Sequence, residues 1–300
     1  MFARRHPFLF FFMIISSCLT IMFIGFVALV SFGSKMVTAE FTQQYTSPGG
    51  NIGIVEIKGV ILSSKRVIHD IKTFRDDDSI KAIILRIDSP GGGIGPSQEI
   101  YREIMKTRKD KVIITSMGAV AASGGYYIAS ATNGIVANKG TITGSIGVIM
   151  EYTNLMEIAK KIGISPVVIK SGEFKDMGSP LRELKDSEKK IFQDLVDELH
   201  LQFVNDAAKA RGIDVKKMAK LADGRVYTGQ KALKLKLIDR LGNLDDAVRW
   251  AGEIANIKGE LKPVYPKEDQ ITFIKKLVGT LFKDINISGT VTDNLRYIIN

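Results

Sequence analysis

AIILRIDSPGGGIGPSQEIYREIMK, residues 82–106, decides the fold class. Ala82–Ile87 is a short apolar run of the kind found in a strand covered on both faces. Asp88–Gly93 is a glycine-rich turn. Pro96 then stands near the first turn of a helix that runs to Lys106. Working outward, Ile52–Ile57 reads as an earlier strand and Val67–Phe74 as the helix between the two. Downstream, strands are expected at Val112–Ser116, Gly134–Ala137, Ile146–Met150 and Pro166–Ile169, with a helix over Asn154–Ile162. Strand and helix in alternation predict an α/β domain with a largely parallel sheet. After Pro180 the strands are expected to stop. A long amphipathic helix covers Asp186–Ala210, with Ile191, Leu195, Leu199 and Phe203 on one stripe. Shorter helices follow over 214–222, 229–236 and 244–255.

The chain has 300 residues, 45% of them apolar and 25% charged, enough to bury a core. Its formal charge is +10, but basic and acidic residues are interleaved, which describes solvated helix faces and not a nucleic-acid footprint. The one cysteine, Cys18, excludes disulfides, thiol catalysis and cysteine-ligated zinc in the body. No P-loop and no GxGxxG after a strand is present, which argues against nucleotide binding. No metal or cofactor is expected.

Phe8–Phe32 carries no charge, and 25 residues at about 1.5 Å each exceed the roughly 30 Å hydrocarbon core. A retained transmembrane helix is expected over 8–33. Arg4 and Arg5 before it place residues 1–7 in the cytoplasm and the body outside, at the periplasmic side of the inner membrane. Ile15–Cys18 loosely resembles a lipobox, but the chain stays apolar through Phe32, which favours a spanning helix. Residues 34–50 form a linker, 51–262 the main domain, and 263–300 an extension with a basic amphipathic helix over 268–284.

Three glycine-rich turns follow expected strands: DSPGGG (88–93), AASGGY (121–126) and TGSIG (143–147). Acyl transfer builds negative charge on a carbonyl oxygen, which two backbone N–H groups can hold where small residues admit the substrate. Ser123-Gly124 offers a hydroxyl followed by an open N–H, and Gly91 or Gly92 could offer the second donor. A serine nucleophile needs a base. The three histidines are poor candidates: His6 lies in the leader, and His69 and His200 lie within helices with no glycine-framed loop. A lysine is the alternative, provided burial lowers its pKa from about 10.4 towards neutrality. Composition cannot choose among the lysines. Lys175 is attractive because SGEFKDMGSP (171–180) follows an expected strand and, if extended, turns Phe174 and Asp176 away from it.

Taken together, DSPGGG (88–93), SMGAVAASGGYYIA (116–129), TITGSIGVI (141–149), SGEFKDMGSPLRE (171–183) and ADGRVYTGQKALKLKLID (222–239) resemble the signal peptide peptidase A (protease IV) family. These are Ser-Lys peptidases with a Clp-protease/crotonase-like strand–helix core. The resemblance implies that Ser123 is the nucleophile, Lys175 the general base and Ser145 the residue that orients the lysine. It places the oxyanion hole on Gly124 and on Gly91 or Gly92. It further implies a homo-oligomer in which neighbouring protomers can assemble one site, and peptide substrates that are cleaved signal peptides. Two other classes compete. A catalytically inactive membrane-tethered scaffold would bind apolar peptides without cutting them. A crotonase-like acyl-CoA enzyme is disfavoured by an external location.

Overall fold

Apolar residues two apart sort the three central strands onto two cores, because successive side chains of a strand face opposite ways. In β1 (Ile52–Lys58), Val55 and Ile57 enter one core while Ile52 and Ile54 enter the other. In β2 (Ala82–Ser89), Ile83, Leu85 and Ile87 share the first core, and Ala82 and Ile84 the second. β3 (Val112–Ala122) repeats the division with Ile113, Met117 and Ala121 against Ile114. The computed structural model describes residues 49–266, with Phe8 and Thr20. The expected transmembrane helix and the 268–284 helix otherwise lie outside the described residues. No helix among the described residues is long and apolar enough to cross a membrane.

Two right-sized crossovers build the parallel core. α1 (Lys65–Asp76) joins β1 to β2 and buries Ile71 and Phe74; α2 (Ile94–Thr107) joins β2 to β3 and buries Ile100 and Ile104. Each fully buried aliphatic side chain of this kind contributes roughly 1.5–3 kcal/mol. α3 (Gly124–Ser130) follows β3 without a loop. β4 (Gly134–Ala137) and β5 (Ile142–Gly144) come next, then α4 (Met156–Lys161) and the long α5 (Asp186–Arg211). The chain continues through α6 (Val215–Leu221), β6 (Val226–Thr228), α7 (Gly229–Lys234), β7 (Arg240–Leu241), α8 (Leu244–Ile254) and β8 (Pro263–Val264). α8 covers the second core with Ala247, Val248 and Ala251.

The sheet runs β6-β5-β3-β2-β1-β8, and β4 and β7 branch from β3. All pairings are parallel except β5 with β6. β3 can serve both β4 and β5 because it carries a bulge. Ile87 pairs with Met117, but Ser89, two residues on, pairs with Ala121. The Asp88 carboxylate caps the bulge by accepting the Val120 N–H at 3.1 Å. Below the bulge β3 pairs with β4, and above it Val120–Ala122 pairs with β5. Bulges re-aim strand ends in this way beside functional sites.

The largely parallel α/β fold matches the reading of the sequence, and three local expectations do not. Ile146–Met150 is not a strand; the pairing residues are Ile142–Gly144, one turn earlier. Pro166–Ile169 has no regular structure, and its apolar side chains are exposed rather than buried, Ile169 to 97%. Strands do not stop at Pro180: β6, β7 and β8 add two- and three-residue segments to the sheet edges.

Candidate active site

The end of β3 delivers Ser123 directly into α3. Its backbone has φ 52° and ψ −121°, a conformation that a residue with a side chain rarely adopts. Such strain persists where the surroundings over-determine it, and it clusters at functional sites. The surroundings here are explicit. The Ser123 N–H donates to the Gly144 carbonyl at 2.8 Å, and its carbonyl accepts the Tyr127 N–H at 2.9 Å. The hydroxyl makes no capping bond to the helix it precedes. Gly124 opens α3, so its N–H has no intrahelical acceptor.

The Pro90–Gly93 loop packs against this turn. Gly91 has φ 110°, and a Cβ there would stand 2.8 Å from both the Ser123 Cβ and the Gly124 nitrogen. Only glycine permits that approach. Its N–H donates to Ser89 Oγ at 3.1 Å. The neighbouring Gly92 N–H is not used by the bridge that Gly92 makes with Ile61, which runs through Ile61 N–H to Gly91 O and Gly93 N–H to Ile61 O. Of these two glycines, Gly92 is the one whose N–H meets no acceptor among the described residues.

Ser145 follows Gly144, the last residue of β5, beside the Ser123 turn. It too has a positive φ, 49°, and its N–H donates to the Arg225 carbonyl at 2.9 Å. A cavity of about 40 Å³ opens next to Ser123, bounded by Gly92, Ile94, Gln98, Tyr127, Gly147, Val148, Leu199 and Phe203. Its far wall is α5. Tyr127 meets Phe203 edge-to-face at 4.8 Å and Tyr101 at 4.8 Å with the rings tilted by 42°. Tyr127 donates to the Asp206 carboxylate, Tyr101 to the Asp206 carbonyl at 3.0 Å, and Gln98 to Gln202 at 3.0 Å. Burial first, and Asp206 second, push the Tyr101 hydroxyl up to about 12, so it stays protonated and donating.

Ser123, Gly124, Gly91, Gly92 and Ser145 are thus brought together. Lys175 is not. It does not line the cavity, and it is exposed. Its segment is a run of turns over 173–178, not the extended strand expected, because Lys175 N–H and Met177 N–H bond back to Gly172 and Phe174. Charge anchors that segment. Asp176 accepts from Lys170 Nζ at 2.6 Å and from Arg182 Nε at 2.9 Å. Arg182 also forks onto Glu188 at 2.8 and 2.5 Å, and Glu188 accepts the Lys185 N–H at 3.0 Å. Arg182, then Lys170, hold the Asp176 carboxyl well below the usual range; Arg182 lowers Glu188 to about 2. N-terminal to this segment, Ile149, Val167 and Ile169 are 91, 88 and 97% exposed. Neither described histidine lines the cavity: His69 is exposed on α1, and His200 lies on α5 with a buried, unpartnered Nε2.

The model of Peptidase family S49 matches residues 105–258, just over half of the chain. The chain belongs to peptidase family S49. A Clp protease model matches residues 57–142 of the same domain, in accord with the mixed α/β sheet. The S49 chain is 42% identical over 236 residues to the putative protease slr0021 of Synechocystis sp., covering 78% of this chain and 85% of that protein. It is 35% identical over 233 residues to a putative signal peptide peptidase SppA of Enterococcus faecium, covering 73% and 67%. It is 39% identical over 214 residues to the chloroplastic serine protease SPPA of Arabidopsis thaliana, covering 70% of this chain and 32% of that protein. Membership makes the protein a peptidase, a hydrolase of the signal peptide peptidase A and protease 4 type.

Tyr127, Gln98 and Phe203, which line this cavity, are not singled out by the sequence as site residues. The stripe of the long helix did hold a signal: Leu199 and Phe203 continue Ile191 and Leu195 at helical spacing. What distinguishes them is packing. Phe203 is 6% exposed, whereas Ile191 and Leu195 are 37 and 41% exposed.

Proposed function

We propose that the protein is a membrane-anchored serine endopeptidase in which Ser123 is the nucleophile and Lys175 the general base. The observation that carries this reading is the strained Ser123 turn, set between the Gly92 and Gly124 N–H groups at the mouth of a mainly apolar cavity. Ser123 Oγ attacks the scissile carbonyl as its proton passes to the Lys175 amine. The Gly92 and Gly124 N–H groups hold the oxyanion. Lys175 then protonates the leaving amine, and water, deprotonated by the same lysine, hydrolyses the ester. Ser145 orients the lysine from the neighbouring strand.

Lys175 reaches Ser123 from a second copy of the chain in a homo-oligomer. The supporting observations are the exposure of Lys175 and its neighbour Phe174, and of Val167 and Ile169 just before them in the chain, since exposed apolar groups mark interfaces. The substrates are peptides with apolar segments, cleaved signal peptides among them. A body held outside the inner membrane by the uncharged run at 8–33 would meet them as they leave the bilayer. A fluorophosphonate probe on the full chain in detergent tests the nucleophile. Labelling that is lost in Ser123→Ala supports the reading. Undiminished turnover of an apolar quenched peptide by Ser123→Ala refutes it, and no labelling or turnover by the wild type points to the scaffold.

A further inference from the structure

We propose that Ser89 is a positioning residue for oxyanion binding, acting through the peptide plane between Gly91 and Gly92. The proposal rests on the Ser123 reading above. A trans peptide is planar, so its C=O and N–H point in opposite directions. Fixing the Gly91 carbonyl therefore fixes the Gly92 N–H. The Ile61 N–H donates to the Gly91 carbonyl at 2.9 Å, and the Ser89 hydroxyl approaches that carbonyl at 3.4 Å. The same hydroxyl oxygen accepts the Gly91 N–H at 3.1 Å. On the next residue, the Gly93 N–H donates to Ile61 O at 2.8 Å.

Three consecutive amides are thereby sorted. Those of Gly91 and Gly93 are engaged inward, and that of Gly92 is turned away from Ile61. Its nitrogen lies beside Gly124: a Cβ on Gly124 would stand 3.4 Å from the Gly92 nitrogen. Three glycines in a row would otherwise sample many conformations. Ile61 acts only through its backbone, so Ser89 is the side chain in this clasp, and it is fully buried. Its placement follows from the bulge, which pairs Ser89 with Ala121, two residues before the nucleophile. Without the hydroxyl, the Gly91 N–H loses its acceptor and the Gly91–Gly92 plane keeps one restraint of two.

The test compares Ser89→Ala and Ser89→Thr with wild type, as full chains in detergent micelles, using a quenched apolar peptide and a peptide aldehyde. The aldehyde adds Ser123 Oγ to its carbonyl and places an oxyanion where the substrate's would form. Complete loss of one oxyanion donor costs about 10²–10³ in kcat, so a loosened donor should cost about ten-fold. Ser89→Ala should lower kcat and weaken the aldehyde by that same factor, with KM unchanged; Ser89→Thr, which keeps the oxygen, should restore both. A structural role alone would shift thermal unfolding or KM and leave aldehyde binding in step with ordinary peptide binding. Where Ser89→Ala does not fold, Ser89→Cys, with a weaker acceptor of similar shape, is read in the same way. Unchanged kcat and aldehyde affinity in a protein that still needs Ser123 overturn the positioning role alone. Wild-type turnover by Ser123→Ala overturns the underlying reading, and this role with it.

Discussion

The amide of Ser123 donates to the carbonyl of Gly144 over 2.8 Å, which locks the end of β3 to the end of β5. Beyond that bond both chains turn sharply, and both turns use a serine at positive φ, Ser123 at 52° and Ser145 at 49°. The two hydroxyl residues therefore leave neighbouring strands at one level. Their relative position is set by sheet register, not by a flexible loop.

Backbone strain at Ser123 separates two variants that both lack the hydroxyl. Ser123→Ala keeps a Cβ in the strained conformation, whereas Ser123→Gly does not. Since the hydroxyl caps nothing, neither loses a helix cap. Ser123→Gly should be more stable than Ser123→Ala by about 1 kcal/mol. Urea unfolding measures this; equal midpoints would mean that the turn is not strained.

On the shared-site reading, inactive chains should complement each other. Ser123→Ala retains the lysine and Lys175→Ala the serine. Mixing equal amounts and allowing exchange should recover about a quarter to a half of wild-type turnover, whereas each alone should fall by more than about 10³. No recovery from a mixture shown by native mass spectrometry to have exchanged would place both groups in one chain.

The Arg182 network predicts acid sensitivity of a known sign. Asp176 and Glu188 are both more acidic in the folded chain than unfolded. Their contribution is complete above the ordinary carboxylate range and is lost as pH falls from there towards about 2. Arg182→Met leaves the Glu188 side chain, 1% exposed, without its guanidinium. Its acid-unfolding midpoint should rise, and trypsin should cut the 170–185 segment faster at pH 7. Circular dichroism against pH reads the first effect; an unmoved midpoint would mean that the network is not coupled to folding.

Leu199 sets the width of the cavity without belonging to either main core. Leu199→Ala should shift preference towards larger residues preceding the cut bond by about ten-fold in kcat/KM. A peptide series varied at that one position measures it, and an unchanged ranking would place the side chain elsewhere.

Much of the fold was legible because its signals are local and repeated. β1, β2, α1, α2 and α5 lie within a few residues of where periodicity puts them. The apolar run places β3 at Val112–Ser116, whereas the strand bulges between Met117 and Ala121 and continues to Ala122. β6, β7 and β8 are two or three residues long, too short for any period to register. The apolar run Pro166–Ile169 reads as buried, and hydrophobicity alone cannot say whether the chain's own core or another surface covers it. The same limit applies to the site. Its serines and glycines are adjacent because register and turns make them so, while the surroundings of Lys175 depend on contacts that no local pattern encodes.

The bulge in β3 imposes a rule of parity. Between Met117 and Ala121 the strand advances four residues while β2 advances two, an excess of two. An even excess restores the alternation, so Ile113, Met117 and Ala121 all enter one core. Ser123, two past Ala121, lines the cavity whose far wall is α5. An odd excess would present it to α8 instead. Loops elsewhere can gain or lose single residues, but this strand can change length only in pairs. Deletion of exposed Ala119 alone should abolish probe labelling of Ser123 even though every residue of the site remains in the chain.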